Sequence, residues 1–294
     1  MTAGAPRPKV GAVVLTMNDR PEEFPRAMAS LLAQRGVDLD VVVVGNGCRP
    51  AQVSADVRTV ELPANVGIPE GRNLGAAAVT AECDYLFFFD NDAVLPSTEA
   101  LAKLTAELDN DARLAYVQPR ITDPDSGVTQ RRWVPRLRAS DPTRAGTVTV
   151  MAEGVVLIRR SAFNAAGGWP GHFFLFHEGI DLAWRLWNRG YTGLYLPAVT
   201  VHHPATNPAR HATFYRLNAR NRVWLARRNL PRVLIPLNLA TWLALTLWRF
   251  RDRAALRASL SGLREGLRGG HGTRAPMSWR TVVELTRSGR PPVL

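Results

Sequence analysis

The run Leu86-Phe87-Phe88-Phe89-Asp90-Asn91-Asp92 sets bulky apolar residues directly against two carboxylates that flank one amide. A buried strand ending in acids puts charge at the C-terminal edge of a sheet, where open α/β sheets bind their ligands. Carboxylate oxygens there are hard ligands, of the kind that hold Mg²⁺ or Mn²⁺ against a diphosphate. Asp and Asn are also ordinary turn residues, so the tripeptide takes its meaning from its surroundings. Further along, Glu178 and Asp181 stand three apart. On a helix they would share a face, with Cβ atoms about 5–6 Å apart.

These groups need elements to position them, and the first ninety residues supply a regular alternation. Val10 to Leu15 and Asp40 to Val44 are continuous apolar runs, typical of strands buried on both faces. The second ends in Gly45-Asn46-Gly47, and Val57 to Leu62 forms a third strand. Helices are predicted over Glu22–Gln34 and Gly71–Thr80, and Tyr85 to Phe89 is the fourth strand. Strand, helix, strand, strand, helix, strand is the pattern of a parallel nucleotide-binding sheet. Beyond it come a helix at 98–109, a strand near Tyr116-Val117-Gln118 and an Arg-rich loop at 131–138. Val155 to Arg159 reads as a short strand, followed by a helix from Phe163 that Gly167-Gly168 ends. A helix over Asp181–Asn188 is stopped by Gly190, and Tyr191 to Val201 is a last strand pair or extended run leading to His202-His203.

With 294 residues and 46% hydrophobic content, the chain can bury a proper core, and disorder is excluded. Cys48 and Cys83 are too few for a disulfide scaffold or a cysteine zinc site. They read as reduced thiols of a cytosolic protein, and Met1 to Lys9 shows no secretory signal.

Thr16 at the end of the first strand, the Gly-Asn-Gly turn, Asp90-Asn91-Asp92 and Glu178-Gly179-Ile180-Asp181 follow one another in order. Together they resemble the bacterial family 2 glycosyltransferases of the GT-A fold. The stretch Asn65-Val66-Gly67-Ile68-Pro69-Glu70-Gly71-Arg72-Asn73-Leu74-Gly75 resembles the segment that precedes the metal motif in that family, and Phe173 to Tyr191 its acceptor-side segment. The resemblance covers about residues 9–205 and is nearest the rhamnosyltransferase-like branch. It implies an α/β fold of GT-A type: a Rossmann-like nucleotide-binding sheet, an acceptor-side subregion, and here a basic, partly apolar helical C-terminal extension. The catalytic domain would span 1–205, with a donor half at about 9–97 and an acceptor half at about 98–205, and the extension 206–294.

The resemblance also implies roles. Asp92 would be the direct metal ligand, and Asp90 would contact ribose or metal-bound water, with Mg²⁺ or Mn²⁺ as cofactor. Asn91 is a candidate ribose contact or a structural turn residue. Thr16 and Arg72 match positions that bind the nucleotide. Arg72 follows Gly71 at a predicted helix start, where its charge opposes the macrodipole and favours an anionic partner. Relatives usually carry an Asp that helps recognise the base where this chain has Gly45, so Asn46 or an acid elsewhere must replace it. The donor is therefore open among dTDP-, UDP- and GDP-sugars, with the rhamnosyl branch nominating dTDP. Gly179 stands where the family has its second acid, leaving Glu178 as base and Asp181 to orient the acceptor or Glu178; Asp181 as a helix cap is the alternative. His202 or His203 falls where some GT-A enzymes place a third metal ligand. His177 is a candidate to tune Glu178, and Trp169, Phe173, Phe174 and Phe176 are candidates for sugar stacking or for core.

Charge separates the two parts of the chain. The formal net charge is +12, yet residues 182–294 alone carry 19 Lys+Arg against 3 Asp+Glu. Such asymmetry points to an anionic partner, nucleic acid or the cytoplasmic leaflet of a membrane. No zinc-finger, RNP-like or helix-turn-helix pattern accompanies it, which argues against nucleic acid. Leu230 to Trp248 is apolar but contains Pro231, Arg232, Pro236 and Asn238, and arginines flank it on both sides. That suits the membrane interface better than a bilayer span or a packed helix. The expectation is an inverting, metal-dependent glycosyltransferase, peripheral on the inner face of the cell membrane, acting on a lipid-linked or cell-envelope glycan. A transferase of a soluble acceptor and a non-catalytic sugar-nucleotide or nucleic-acid binder are the alternatives. Oligomeric state is open.

Overall fold

The computed structural model describes residues 6–135, 141–152, 154–205 and 212–294. Positions 136–138 of the expected Arg-rich loop, and the expected domain boundary at 205/206, touch or lie outside these residues.

Strand β1 (Lys9–Thr16) is the centre of the parallel half of the sheet, pairing with β2 (Asp38–Asn46) on one side and β4 (Tyr85–Asp90) on the other. β3 (Arg58–Leu62) extends it parallel to β2. The apolar runs of these strands are explained by burial on both faces. Phe87 and Phe89 enter one core with Val10, Ala12 and Val14, while Leu86 and Phe88 enter the opposite core with Val13, Val42 and Val44. That is the alternation a strand imposes on its side chains.

Helices cover both faces. α1 (Glu23–Leu32) and α3 (Ala100–Asn110) pack on the first core. α2 (Ile68–Ala78), α4 (Arg160–Ala166) and α5 (Glu178–Trp187) pack on the second. α2 lies close to the sheet because it carries glycines on the packed face. A Cβ at Gly71 would come within 2.5 Å of Leu15 and one at Gly75 within 2.4 Å of Val13.

The sheet continues past β4 and becomes mixed, in the order β3-β2-β1-β4-β7-β5-β8-β6. β7 (Val155–Arg159) is antiparallel to both β4 and β5 (Leu114–Thr122). β8 (Thr192–His202) is parallel to β5, and the short edge strand β6 (Gly146–Val148), which no sequence pattern signalled, is antiparallel to β8. The stretch Tyr191–Val201, expected as a strand pair or an extended run, is the latter: one strand with an irregularity, since the register jumps from Leu196 opposite Pro119 to Thr200 opposite Arg120. That break lets the end of β8 bridge Val94, just beyond β4.

The C-terminal part is helical: α6 (Ala212–Asn229), α7 (Leu234–Arg249), α8 (Arg253–Arg268) and α9 (Trp279–Arg287). A third core joins Phe173, Trp184 and Trp187 of α5 and the loop before it to Trp224, Leu225, Leu230, Met277 and Leu285. α7 differs from its neighbours. It is apolar, yet Asn238 is its one buried residue, and Leu237, Leu243, Leu247 and Trp248 are exposed. Among the described residues no helix is long and apolar enough to cross a membrane.

Candidate active site

The carboxyl ends of β1, β2 and β4 bring Thr16, Asn46 and Asp90 to one edge of the sheet. Thr16 is buried, and its Oγ1 accepts the Asn18 N–H at 3.0 Å, so the hydroxyl closes its own turn. Asn46 uses both ends of its amide on the following loop: Oδ1 accepts from the Val66 N–H and Nδ2 donates to Asn65 Oδ1, each at 2.9 Å. It orders the loop that leads into α2. At Gly45, a Cβ would lie 2.0 Å from the Cys48 carbonyl oxygen and 2.7 Å from Pro50 Cδ, so the adjacent turn fills the space an Asp side chain needs.

Arg72 does not open a helix. α2 starts at Ile68, so Arg72 sits in its second turn and the macrodipole argument does not apply. It is 3% exposed, 2.8 Å from Asp90 Oδ1, and its guanidinium lies over the Trp169 ring at 5.5 Å. The neighbouring Asn73 pairs with both main-chain groups of Trp169 at 2.9 Å. Ile68 N–H donates to the Phe174 carbonyl at 2.8 Å. At Gly67, with φ of 85°, a Cβ would meet that same carbonyl at 2.5 Å. The Asn65–Gly75 stretch thus ties the loop before α2 to the loop that leads into α5.

Asp90, Asp92 and His203 form the centre, with one ligand atom from each lying within 4.8 Å of the others. His203 Nε2 is 3.3 Å from Asp90 Oδ2 and 3.2 Å from Asp92 Oδ1. Its Nδ1 donates to the Pro204 carbonyl at 2.9 Å, which fixes the ring with Nε2 toward the acids. Burial acts to lower the imidazole pKa, but the hydrogen bonds and charges of Asp90 and Asp92 outweigh it and push it up to about 10. For Asp92, burial raises the pKa while His203 and Arg20 pull it down, and the net direction is down. The site is built for positive charge. Two carboxylates and an imidazole nitrogen fit a divalent cation such as Mn²⁺ or Mg²⁺.

Of the two expected histidines, the cluster takes His203 and leaves out His202, whose main chain pairs with Val94. Asn91 Nδ2 donates to Asp19 Oδ1 at 3.2 Å, linking this turn to the one after β1. Arg20, which the sequence reading did not single out, has Nε 3.2 Å from Asp92 Oδ2. Its position next to Asn18-Asp19, in the turn after the first strand, was the available signal. Trp133 was also missed, and it packs edge-on against the His203 ring at 5.6 Å.

Glu178 and Asp181 both lie in the first turn of α5, and both are buried. The loop before them is strained: Phe174, Phe176 and His177 have φ of 67°, 73° and 69°. Asn221 of α6 holds it by donating to the carbonyls of Phe173, Leu175 and Phe176. Asp181 is neither a helix cap nor turned to solvent. It is fully buried and bonded to Arg185 at 2.7 Å, Arg228 at 3.0 Å and Asn229 at 2.7 Å. Burial alone would raise its pKa, but the two guanidiniums and the amide hold it below the usual carboxylate range. It joins α5 to α6. Burial pushes the His177 pKa well below its usual value, helped by the Arg222 charge, so the imidazole is neutral. Trp169 and Phe173 are core, and Phe174 is the exposed aromatic of the group.

A mixed sheet with a parallel half, an Asp-Asn-Asp turn at its carboxyl edge and a histidine returning to that turn is the architecture of the GT-A fold. Residues 12–167 match the family described as glycosyl transferase family 2, and the chain belongs to it. Among curated proteins it is 32% identical over 110 residues to the Mycobacterium tuberculosis N-acetylglucosaminyl-diphospho-decaprenol L-rhamnosyltransferase, covering 36% of this chain and 32% of the relative. It is 28% identical over 224 residues to the pre-mycofactocin glycosyltransferase of the same species, covering 69% of this chain and 45% of the relative. The chain thus spans between about a third and a half of the length of these relatives. The crystal structure of GalNAc-T7 with UDP, GalNAc and Mn²⁺ superposes with a TM-score of 0.66 at 14% identity, covering 98% of this chain and 58% of that one.

Proposed function

We propose that this chain is an inverting, metal-dependent glycosyltransferase that moves a sugar from a nucleotide-diphosphate donor to a hydroxyl of a lipid-linked or cell-envelope glycan. The observation that carries the reading is the Asp90–Asp92–His203 cluster at the carboxyl edge of the sheet. These residues would hold the cation, which as a Lewis acid neutralises the departing diphosphate. Arg72 fixes one Asp90 oxygen, and Arg20 adds a cation beside Asp92. Glu178, in the first turn of α5, accepts the acceptor hydroxyl's proton as the oxygen attacks the anomeric carbon opposite the diphosphate. In-line attack of that kind inverts the anomeric centre. Residues 1–205 form the catalytic unit, with Thr16, Asn46 and Asn91 shaping its donor edge, and 206–294 the extension.

The acceptor class is supported by α7. Its exposed Leu237, Leu243, Leu247 and Trp248 are flanked by exposed Arg232, Arg249, Arg251 and Arg253. An uncovered apolar helix with cations at both ends matches an anionic membrane interface, with the chain peripheral on the cytoplasmic face. The rhamnosyltransferase relative, named for a diphospho-decaprenol acceptor, supports the same class and makes dTDP-sugars the first donors to try.

A thermal-shift panel of dTDP, UDP and GDP and their sugars, each with Mn²⁺, Mg²⁺ or chelator, tests the donor site. Ligand at a hundredfold its dissociation constant stabilises by about 2.7 kcal/mol. A metal-dependent shift with one base, lost in Asp92→Ala, is the expected result. Absence of any shift overturns the reading. Flotation with phosphatidylglycerol vesicles tests the membrane assignment, which fails if the chain stays with the soluble fraction.

A further inference from the structure

Arg222, in the middle of α6, is 7% exposed, yet its guanidinium has no carboxylate or carbonyl partner among the described residues. Other arginines around it are paired. Arg185 and Arg228 hold Asp181, and Arg220 reaches Glu265 and the Phe173 carbonyl. Arg222 instead stacks on the Trp242 ring at 3.7 Å. The charged group within its electrostatic reach is another cation, Arg290, which comes from the segment after α9, is half-buried, and also lacks an acid among the described residues. Arg290 in turn lies within electrostatic reach of Arg131 and Tyr116, and His177, a titratable neighbour of Arg222 among the described residues, is neutral. Burial, reinforced by the Arg290 charge, brings the Arg222 guanidinium down to about 9. The indole Nε1 of Trp242 is buried as well and has no acceptor among the described residues.

Hydrogen-bond donors and positive charge thus collect where the described residues provide no acceptor. Leaving buried charge unmatched is costly, and a phosphate supplies both the countercharge and the acceptor oxygens. The position is informative. Arg222 acts on His177, the residue before Glu178, while Arg131 belongs to the segment whose Trp133 packs on His203. On the other side, Trp242 belongs to α7, the helix with the uncovered apolar face.

We infer that Arg222 and Arg290, with the Trp242 indole, form a seat for the phosphate groups of a prenyl-diphosphate-linked acceptor whose lipid follows α7. The inference rests on the glycosyltransferase reading above and names its acceptor: phosphate bound at the Arg222–Arg290 pair, apolar chain toward the membrane, sugar hydroxyl toward Glu178.

The test is calorimetric binding of farnesyl diphosphate to the full chain in the presence of chelator, which removes any metal-dependent binding at the donor site. Farnesol is the control without phosphate. We expect metal-free binding of the diphosphate, weak or no binding of farnesol, and a loss of at least about tenfold in affinity for Arg222→Gln and for Arg290→Gln, as deletion of a charge-assisted contact brings. The Mn²⁺-dependent nucleotide shift should stay unchanged in both variants and reports that they are folded. If Arg222→Gln does not fold, the half-buried Arg290 decides alone.

Equal diphosphate affinity in the folded variants, or no metal-free binding by the native chain, overturns the proposal. Loss of vesicle flotation in the variants with diphosphate binding retained also overturns it, assigning the pair to a lipid headgroup. Diphosphate binding that depends on both arginines, with no nucleotide shift in the native chain, keeps the phosphate seat while the donor-site reading falls.

Discussion

His203 Nε2 stands 3.3 Å from Asp90 Oδ2 and 3.2 Å from Asp92 Oδ1, so one imidazole from the end of β8 bridges both acids at the end of β4. The pair His202–His203 therefore divides sharply. His203→Gln should weaken Mn²⁺ binding by at least about 100-fold, at or beyond the upper range for losing an outer-sphere partner. His202→Gln should stay within about twofold of the native chain, a change worth under 0.5 kcal/mol. Titration of Mn²⁺ against donor turnover distinguishes them, and equal effects would remove His203 from the ligand set.

Arg20 is half-exposed and reaches Asp92 Oδ2 at 3.2 Å. An ion pair so exposed adds little to stability, within about 1 kcal/mol. Its cation nevertheless stands beside Asp92, where the proposed function places the departing diphosphate. Arg20→Ala should raise the donor KM by about tenfold, the scale of one charge-assisted hydrogen bond, and leave the melting temperature nearly unchanged. A variant with native KM would make Arg20 a surface residue only.

Asp181 is expected to act on stability. Replacing it with Asn leaves Arg185 and Arg228 buried around a neutral amide, which should cost about 3–5 kcal/mol. Folded Asp181→Asn should still bind nucleotide. The pH dependence follows from its lowered pKa. A carboxylate held below its unfolded value, about 3.9, contributes stability that is complete above that value and lost as pH falls through the folded one. Urea midpoints measured from about pH 6 down to 2 should fall less steeply for Asp181→Asn than for the native chain below about pH 4. Parallel curves would contradict the ion-pair assignment.

Sequence alone carried the parallel half of the sheet because buried strands such as Val10–Leu15 and Tyr85–Phe89 leave an uninterrupted apolar signal. The Asp-Asn-Asp turn was legible for the same reason, an abrupt change from apolar to acidic. What the sequence hid were relationships across space. The pairing of Arg72 with Asp90 depends on α2 starting at Ile68, earlier than the Gly71 expected from its glycine pattern. β6 is three residues long and carries no periodicity. The choice of His203 over His202 depends on the break in β8 register. Asp181 read as a site residue by its spacing from Glu178, while the arginine and the asparagine that enclose it from α6 lie 47 and 48 residues away. The basic character of the C-terminal third was visible, but not its division. Arg220 and Arg228 face inward to partners, whereas Arg249, Arg251 and Arg253 face solvent.

Glu178 is the group assigned to accept the hydroxyl proton. Glu178→Gln keeps the volume and removes the base, so transfer should fall by about 100-fold or more, while the nucleotide shift with Mn²⁺ stays intact. Single-turnover measurement separates the two effects. An active Glu178→Gln would assign proton acceptance to another group, and Asp181, enclosed by three donors, would not be the replacement.

Gly45→Asp asks whether the base-recognising Asp expected from the family can be restored. The structure argues that it cannot by simple substitution. The atom nearest the new Cβ, at 2.0 Å, is the main-chain oxygen of Cys48, not the end of a flexible side chain. The same turn donates from Cys48 Sγ to the Thr16 carbonyl at 3.7 Å, so moving it disturbs the end of β1 as well. Forced overpacking of this kind costs about 1–3 kcal/mol. Gly45→Asp should therefore melt lower and bind each nucleoside diphosphate no more tightly than the native chain. If calorimetry instead finds tighter binding of one base at unchanged stability, the turn yields, and base selection in this chain is set by a single missing carboxylate.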